Sequence, residues 1–209
     1  MRYLAENISA EFSSEGTDFG TRSGDRLLNN NRESLTMITI LSGTNRTGNK
    51  TIKIAEAYLA HFREKGIDAQ IFDLKELPAD FSSTWMSDKQ SPDFQNQVAT
   101  YVRQVEKILL VVPEYQGTFP GILKLVIDAI HPRDLKGKKV ALTGLGSGRG
   151  GNLRGLDQLS SAFHYLGITI YPFHLPISRI NDVINAEGVL HDEATIKAID
   201  AHAEGFAGF

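Results

Sequence analysis

The feature that most constrains this chain is a regular alternation of short apolar runs with amphipathic segments, which begins at Met37. Runs of six to eight residues rich in apolar and β-branched side chains are typical of buried strands. The chain has five of them, at residues 37–42, 69–74, 107–112, 138–145 and 168–173. Strands that alternate with helices favour a parallel sheet covered on both faces, because right-handed crossovers place a helix between successive strands. Residues 37–209 are therefore expected to form one α/β domain.

The segments between the runs predict the helices. Apolar residues from Ile52 to Phe62 recur at three- and four-residue spacing, and Gly66 ends the pattern as a residue after a helix often does. Further helices are expected around residues 98–105, 122–129, 153–163 and 192–206. The run at 107–112 is the most hydrophobic, which predicts a central position in the sheet, where both faces of a strand are buried.

Residues 1–36 lack this alternation. They are rich in Ser, Asn and Gly and carry four arginines, six acidic residues and no lysine, with little apolar surface to offset chain entropy. We expect an N-terminal extension rather than a domain: a flexible arm, a leader or an added segment, with Met37 as an alternative start. The other open interpretation is an arm that packs on a partner subunit through Phe12, Phe19, Leu27 and Leu28.

Composition excludes several classes of protein. Lysine and arginine number 22 against 25 acidic residues, so the net charge of −3 argues against a nucleic-acid partner. Cysteine is absent and the six histidines show no ligand spacing, so we expect no disulfide, cysteine nucleophile or metal site. No apolar run approaches the ~20 residues of a membrane span, and no secretory signal is recognisable. We expect a cytoplasmic protein without a membrane partner.

The loop at residues 43–51 follows the first predicted strand and leads into a helix. In open α/β sheets, ligands bind beyond the carboxyl ends of the strands, where the strand order reverses. Nine residues of Gly, Thr, Asn, Arg and Lys at a helix N-terminus favour an anion site, because unpaired N–H groups point outward there. The alternative is a well-capped turn. The segment is not a nucleotide-hydrolysing P-loop, because Asn49 separates Gly48 from Lys50.

Two further loops follow the third and fourth predicted strands. Residues 113–121 offer backbone N–H groups, a tyrosine and two prolines, which suit a flat heterocycle or form a purely structural turn. Residues 144–151 contain a G-x-G-x-x-G match, which is a weak signal because a dinucleotide fingerprint belongs after the first strand. We expect this backbone to approach a ligand closely, with Arg149 either at the rim of the pocket or as a solvated charge.

Together these three loops resemble the NADPH-dependent FMN reductase family. The segments that carry the resemblance are GTNRTGNKT, PEYQGTFPGILKLVIDAI and GLGSGRGG, and the likeness extends from residue 37 to about 175. The resemblance implies a flavodoxin-like three-layer sandwich with a five-stranded parallel sheet in the order 2-1-3-4-5 and helices on both faces. It also implies FMN as cofactor and a homodimer or homotetramer.

The resemblance also assigns site residues. The first loop would hold the FMN phosphate through Thr44, Arg46, Asn49 and Thr51, to which we add the neighbouring Lys50. The second loop would flank the flavin ring through Pro113, Glu114, Tyr115, Gln116 and Gly117. The Gly-rich third loop adds Gly146, Ser147 and Gly148. Gln116 stands where the family more often has asparagine, and Asn49 where serine is usual.

In the reaction that the resemblance implies, the flavin carries the chemistry and the protein needs no catalytic side chain. NADPH or NADH would deliver a hydride to FMN, and a small acceptor would then be reduced: free flavin, a quinone, an azo compound or a metal oxyanion. Gln116, Gly117 and the Gly-rich loop would donate hydrogen bonds to the reduced ring. The alternative is a non-enzymatic flavodoxin-like electron carrier or a flavin-binding regulatory module.

Overall fold

The structure is a computed structural model that describes residues 37–87 and 89–209 of the 209-residue chain. The N-terminal segment 1–36, with its two interpretations, lies outside the described residues. Its boundary with the α/β domain at Met37 therefore stays a prediction.

The sheet has the predicted parallel arrangement. Its strands are β1 (Ile38–Ser42), β2 (Ala69–Asp73), β3 (Lys107–Pro113), β4 (Lys139–Leu145), β5 (Thr169–Ile170) and β6 (Leu175–Ile177). The order is β2-β1-β3-β4-β5, with β6 also paired to β4, and every pair is parallel. This confirms the order 2-1-3-4-5 and the central position of the most hydrophobic run, whose first six residues are all buried.

Helices cover both faces of the sheet. They are α1 (Thr51–Glu64), α2 (Phe81–Thr84), α3 (Pro92–Val98, continued by a π-helical turn at Ala99–Arg103), α4 (Gly121–Ala129), α5 (Pro132–Leu135), α6 (Leu153–Tyr165), α7 (Ile180–Val183) and α8 (Glu193–Gly208). One apolar core lies between the sheet and α3, α4 and α6, and a second lies between the sheet and α1 and α8. The domain is therefore the expected three-layer sandwich.

The fifth predicted strand differs from the expectation, because it is split into β5 and β6. Thr169 pairs with Lys139 and Leu175 pairs with Thr143. The chain therefore advances six residues from β5 to β6 while β4 advances four, and two residues are in excess. Pro172 lies in the excess segment and lacks an N–H group to donate to β4, which explains why the pairing breaks there.

A buried polar network connects α1, β4 and α8. The Tyr58 hydroxyl lies 2.8 Å from Thr143 Oγ1 and 2.8 Å from His202 Nδ1, and His202 Nε2 lies 2.8 Å from the Phe173 carbonyl oxygen. Because a carbonyl only accepts, Nε2 carries the proton and Nδ1 accepts from Tyr58. Burial lowers the pKa of His202 to about 4 and raises the pKa of Tyr58. Both side chains are therefore neutral over the physiological pH range.

Membrane-spanning helices and metal clusters are both absent from the described part of the chain. None of its helices combines the length and the hydropathy of a membrane span. Nor do residues 37–87 and 89–209 contain a group of three or more metal-ligating side chains.

Candidate functional site

The three polar loops meet at the carboxyl ends of β1, β3 and β4, where the strand order reverses. Backbone hydrogen bonds hold them together. Gly43 N–H donates to the Val111 carbonyl at 2.9 Å, and Glu114 N–H donates to the Leu145 carbonyl at 2.7 Å. The loops therefore form one rigid edge of the sheet rather than three independent turns.

Two adjoining cavities open between these loops, and we call them together the cleft. The first cavity, of about 370 Å³, lies on the β1–α1 loop, and the second cavity, of about 690 Å³, lies on the loop between β4 and α6. Glu114 and Ser147 line both. The two shared residues place the cavities side by side at this edge of the sheet.

The β1–α1 loop leaves a row of donors at the start of α1. The Asn49 side chain closes the turn, since its amide donates to the Arg46 carbonyl at 2.7 Å and its oxygen accepts from Ile52 N–H at 3.0 Å. The backbone N–H groups from Thr47 to Thr51 donate to no other described residue. The two interpretations of this loop thus hold together: Asn49 caps the turn, and the capped turn presents donors at a helix N-terminus.

Thr44 contributes from below the cleft and does not line it. Thr44 is fully buried, and its hydroxyl oxygen lies 2.8 Å from the Tyr115 hydroxyl oxygen. It also accepts a hydrogen bond from the Arg46 backbone N–H, with 3.3 Å between nitrogen and oxygen. Thr44 therefore ties the β1–α1 loop to the loop after β3, and we place it among the positioning residues.

The loop after β3 is a tight turn. Tyr115 and Thr118 exchange two backbone hydrogen bonds, of 2.8 and 3.1 Å, and the central residues Gln116 and Gly117 have φ of 52° and 78°. Positive φ at both central positions is the pattern of a type I′ turn, which favours Asn-Gly. Neither Gln116 nor Gly117 donates its backbone N–H within the described part of the chain, so the turn has donors for a ligand.

The Gly-rich loop combines packed and open glycines. A Cβ at Gly144 would collide with the Gly151 carbonyl oxygen, and one at Gly146 would lie 3.0 Å from Gly151 N. Gly146 is buried and does not line the cleft. A Cβ at Gly148 or Gly150 would instead meet nothing within 4 Å, and both residues line the second cavity.

The cleft is positively charged although the chain has a net charge of −3. Its walls carry Arg46 and Lys50 in the first cavity and Arg149 and Arg154 in the second, against the single carboxylate of Glu114. Lys50 Nζ also donates to the Ile184 carbonyl at 3.2 Å. An anionic ligand is therefore favoured over a cationic one.

Eleven of the thirteen predicted site residues line the cleft, whereas Thr44 and Gly146 lie behind its walls. Those in the first cavity are Arg46, Asn49, Lys50, Thr51, Pro113, Glu114, Tyr115 and Ser147; those in the second are Glu114, Gln116, Gly117, Ser147 and Gly148. Two further residues of the cleft were not predicted from the sequence: Arg154, three residues after the Gly-rich loop, and Asn181, which no local pattern indicates. Asn181 is brought in by α7, where Ile180 N–H donates to the Gly146 carbonyl at 3.0 Å.

Comparison with known proteins decides the family. The model of the NADPH-dependent FMN reductase family matches residues 36–182, which include all three loops of the cleft. The chain belongs to the NADPH-dependent FMN reductase family. FMN and NAD(P)H are therefore the cofactor and the reductant that its family membership implies.

Two curated relatives are azoreductases. The chain is 30% identical over 112 residues to the FMN-dependent NADPH-azoreductase of Staphylococcus saprophyticus, and the same figures hold for that of Staphylococcus aureus. The match covers 52% of this chain and 60% of each relative. The chain thus spans less than two thirds of the length of these relatives. The azoreductase activity in their names is therefore not assigned to this chain.

Solved structures share the fold at low sequence identity. The apo form of the NADH:FMN oxidoreductase EMOB superposes with a TM-score of 0.66 at 19% identity, over 82% of this chain and 88% of that one. FerB, an NAD(P)H:(acceptor) oxidoreductase from Paracoccus denitrificans, gives 0.62 at 19% identity, over 83% and 96%. These similarities support the assignment of this chain to the flavodoxin-like fold.

Proposed function

We propose that this chain is an FMN-dependent NAD(P)H oxidoreductase that uses bound FMN to transfer reducing equivalents from NAD(P)H to a small acceptor. One observation carries the proposal: a helix N-terminus with open N–H donors and a larger space between two loops form a single cleft. Family membership supports the same cofactor and reductant.

The first cavity fits the phosphate of FMN. The open N–H groups from Thr47 to Thr51 lie at the positive end of the 14-residue helix α1. Arg46 and Lys50 add two charge-assisted donors beside them. No carboxylate occurs in the first turn of α1 to compete for these donors.

The second cavity fits the ring. It is lined by Gln116 and Gly117 of the turn after β3 and by the Ser147–Gly150 segment, whose backbone N–H groups donate to no other described residue. Bound FMN supplies the electron-transfer chemistry, because its ring accepts a hydride and passes electrons on. Backbone donors fixed before the reaction favour the ring state that carries more negative charge.

The side chains of the cleft bind and orient. Thr44 and Tyr115 hold the β1–α1 loop against the loop after β3 through their mutual hydrogen bond, and the backbone bonds from Gly43 and Glu114 tie these loops to the sheet. Gly148 and Gly150 of the third loop place no side chain in the second cavity, and a Cβ there would meet nothing within 4 Å, so open space is left along this wall. The nicotinamide and then the acceptor would occupy this space in turn.

The acceptor belongs to the same proposal. The proposed acceptors are free flavin, a quinone, an azo compound and a metal oxyanion, all small molecules that need no positive charge, in keeping with this basic cleft. We further propose that the protein is a homodimer or homotetramer and that it is located in the cytoplasm. Tyr165 and Phe173 expose 74% and 68% of their surface and supply apolar area for such an interface. Light scattering of the purified protein measures the oligomeric state.

The decisive experiment adds NADPH to the FMN-loaded protein without oxygen. Rapid loss of the yellow flavin absorbance, followed by recovery on adding a quinone, supports the oxidoreductase. If the colour persists with NADPH and NADH but is lost with a one-electron reductant, the protein is an electron carrier or a flavin-binding regulator instead.

A further inference from the structure

The basic residues of the cleft are divided between its two cavities. Arg46 and Lys50 line only the first cavity, whereas Arg149 and Arg154 line only the second. A single FMN phosphate at the start of α1 accounts for the first pair. The second pair lies beside the space assigned to the ring and has no role in that arrangement.

Neither second-cavity arginine is neutralised by the protein. The ion pairs of the described residues involve neither Arg149 nor Arg154, and both side chains are exposed. Guanidinium groups bind phosphate through paired N–H donors, and two of them on one wall form a site for a dianion. Glu114, the one carboxylate of this cavity, forms no ion pair with either.

The backbone that carries these arginines is held in place. The Arg149 carbonyl accepts from Ser178 Oγ at 2.6 Å, and the Gly148 carbonyl accepts from Arg179 N–H at 2.9 Å. Arg154 lies in the first turn of α6, whose preceding residue Asn152 donates from its side chain to the Val112 carbonyl at 3.1 Å. A backbone that is already ordered loses less entropy when a ligand binds to the residues it carries.

We propose that Arg149 and Arg154 form a second phosphate subsite, which binds the 2′-phosphate of NADPH and makes this chain discriminate against NADH. The inference rests on the proposed function, because it assigns a role within the same cleft. NADPH and NADH differ only in that phosphate, so a dianion site beside the ring space acts on one reductant and not on the other. Specificity of this kind is a difference of two affinities.

The first test measures KM for both reductants in the FMN-loaded protein. Arg149→Ala and Arg154→Ala should each raise the KM for NADPH about tenfold or more, the expected loss of a charge-assisted bond, and change that for NADH less than about twofold. Lysine at either position should restore part of the loss, since it keeps the charge and loses the paired donors. Arg63→Ala, on the exposed side of α1, serves as the matched control and should change neither value.

The second test needs no turnover. Calorimetric titration of the FMN-loaded protein with 2′,5′-ADP should show binding that Arg149→Ala and Arg154→Ala weaken in the same ratio, while 5′-AMP should bind weakly to all variants. If this binding is found but NADPH is never oxidised, the proposed function fails and the phosphate subsite stands.

Three results would overturn the subsite. One is a wild-type protein with equal KM for NADPH and NADH, and another is a parallel rise of both KM values in the arginine variants. The third concerns another source of negative charge. If the variants raise the KM for a sulfonated azo dye but leave NADPH and an uncharged quinone unchanged, the two arginines bind the acceptor and not the reductant.

Discussion

Two polar regions of this domain differ in whether their hydrogen-bonding groups are paired within the protein. In the network of Tyr58, Thr143 and His202, each of the named polar atoms has a partner at 2.8 Å and the side chains are buried. In the cleft, the backbone N–H groups of Thr47–Thr51 and Ser147–Gly150 have no partner among the described residues. Both regions depend on β4 and α1, so they share a scaffold.

The difference separates stability from binding. A buried network that is fully satisfied contributes to folding and has nothing left to offer a ligand. Exposed donors held by a rigid backbone contribute little to folding and are available to a phosphate or a ring. We therefore expect changes in the network to alter the free energy of unfolding, and changes in the cleft to alter ligand affinity.

The largest expected effect is the pH dependence of stability through His202. Because burial lowers its folded pKa to about 4 from the ordinary 6.5, the unfolded chain binds more protons between these values. The contribution of neutral His202 to the free energy of unfolding is constant above pH 6.5 and is lost as the pH falls from 6.5 toward 4. At about 1.4 kcal/mol per pKa unit, the loss is about 3 kcal/mol of unfolding free energy.

Urea unfolding between pH 4 and 7.5 measures this loss. His202→Gln should flatten the pH dependence by that amount, and His164→Gln, on the exposed side of α6, should leave it unchanged. If the free energy of unfolding falls equally on acidification in wild type and in His202→Gln, His202 is not the source of the pH dependence.

The next largest effect compares an open with a packed glycine. Gly148→Val places a side chain in the open space of the second cavity, so FMN affinity should fall about 100-fold, or about 2.7 kcal/mol, with little change in Tm. Flavin fluorescence titration and thermal denaturation measure the two quantities.

Gly144→Ala is the matched change at a packed glycine, near the end of β4 and just before the same loop. Its Cβ collides with the Gly151 carbonyl oxygen, so it should destabilise the fold by about 1–3 kcal/mol. Equal loss of stability in the two variants would contradict the distinction between open and packed glycines.

Arg46→Ala should weaken FMN binding about tenfold, or about 1.4 kcal/mol, because one charged donor to the phosphate is removed. Riboflavin lacks the phosphate, so its affinity should not change. The same titration with both flavins supplies its own control, and an unchanged FMN affinity removes Arg46 from the site.

The smallest effect is expected for Tyr115→Phe, which removes the hydroxyl that pairs with buried Thr44. Loss of one hydrogen bond behind the wall should reduce FMN affinity about threefold, or about 0.6 kcal/mol. Tyr165→Phe, at an exposed tyrosine of α6, is the control. An effect larger than that of Arg46→Ala would mean that Tyr115 contacts the ligand directly.

The sequence predicts most of this architecture because the information is local. Strand and helix periods predict the parallel α/β sheet and locate the polar loops, whereas the strand order and the eleven cleft residues follow from the family resemblance that those loops carry. Pro172 carried a local signal for the interruption of the fifth strand, which the apolar pattern of residues 168–173 obscured. Asn181 lacked any such signal, because a long-range bond between Ile180 and Gly146 brings it to the first cavity. Whether a loop residue lines the cleft or supports it from behind, as Thr44 does, depends on three-dimensional packing.

The open donors at the start of α1 are proposed to bind the phosphate of FMN. Titration of the purified protein with FMN and with riboflavin measures what this phosphate contributes. We expect one FMN per chain to bind at micromolar concentration or below, and riboflavin to bind at least about tenfold more weakly. Equal affinity for the two flavins, or no uptake of either, would contradict it.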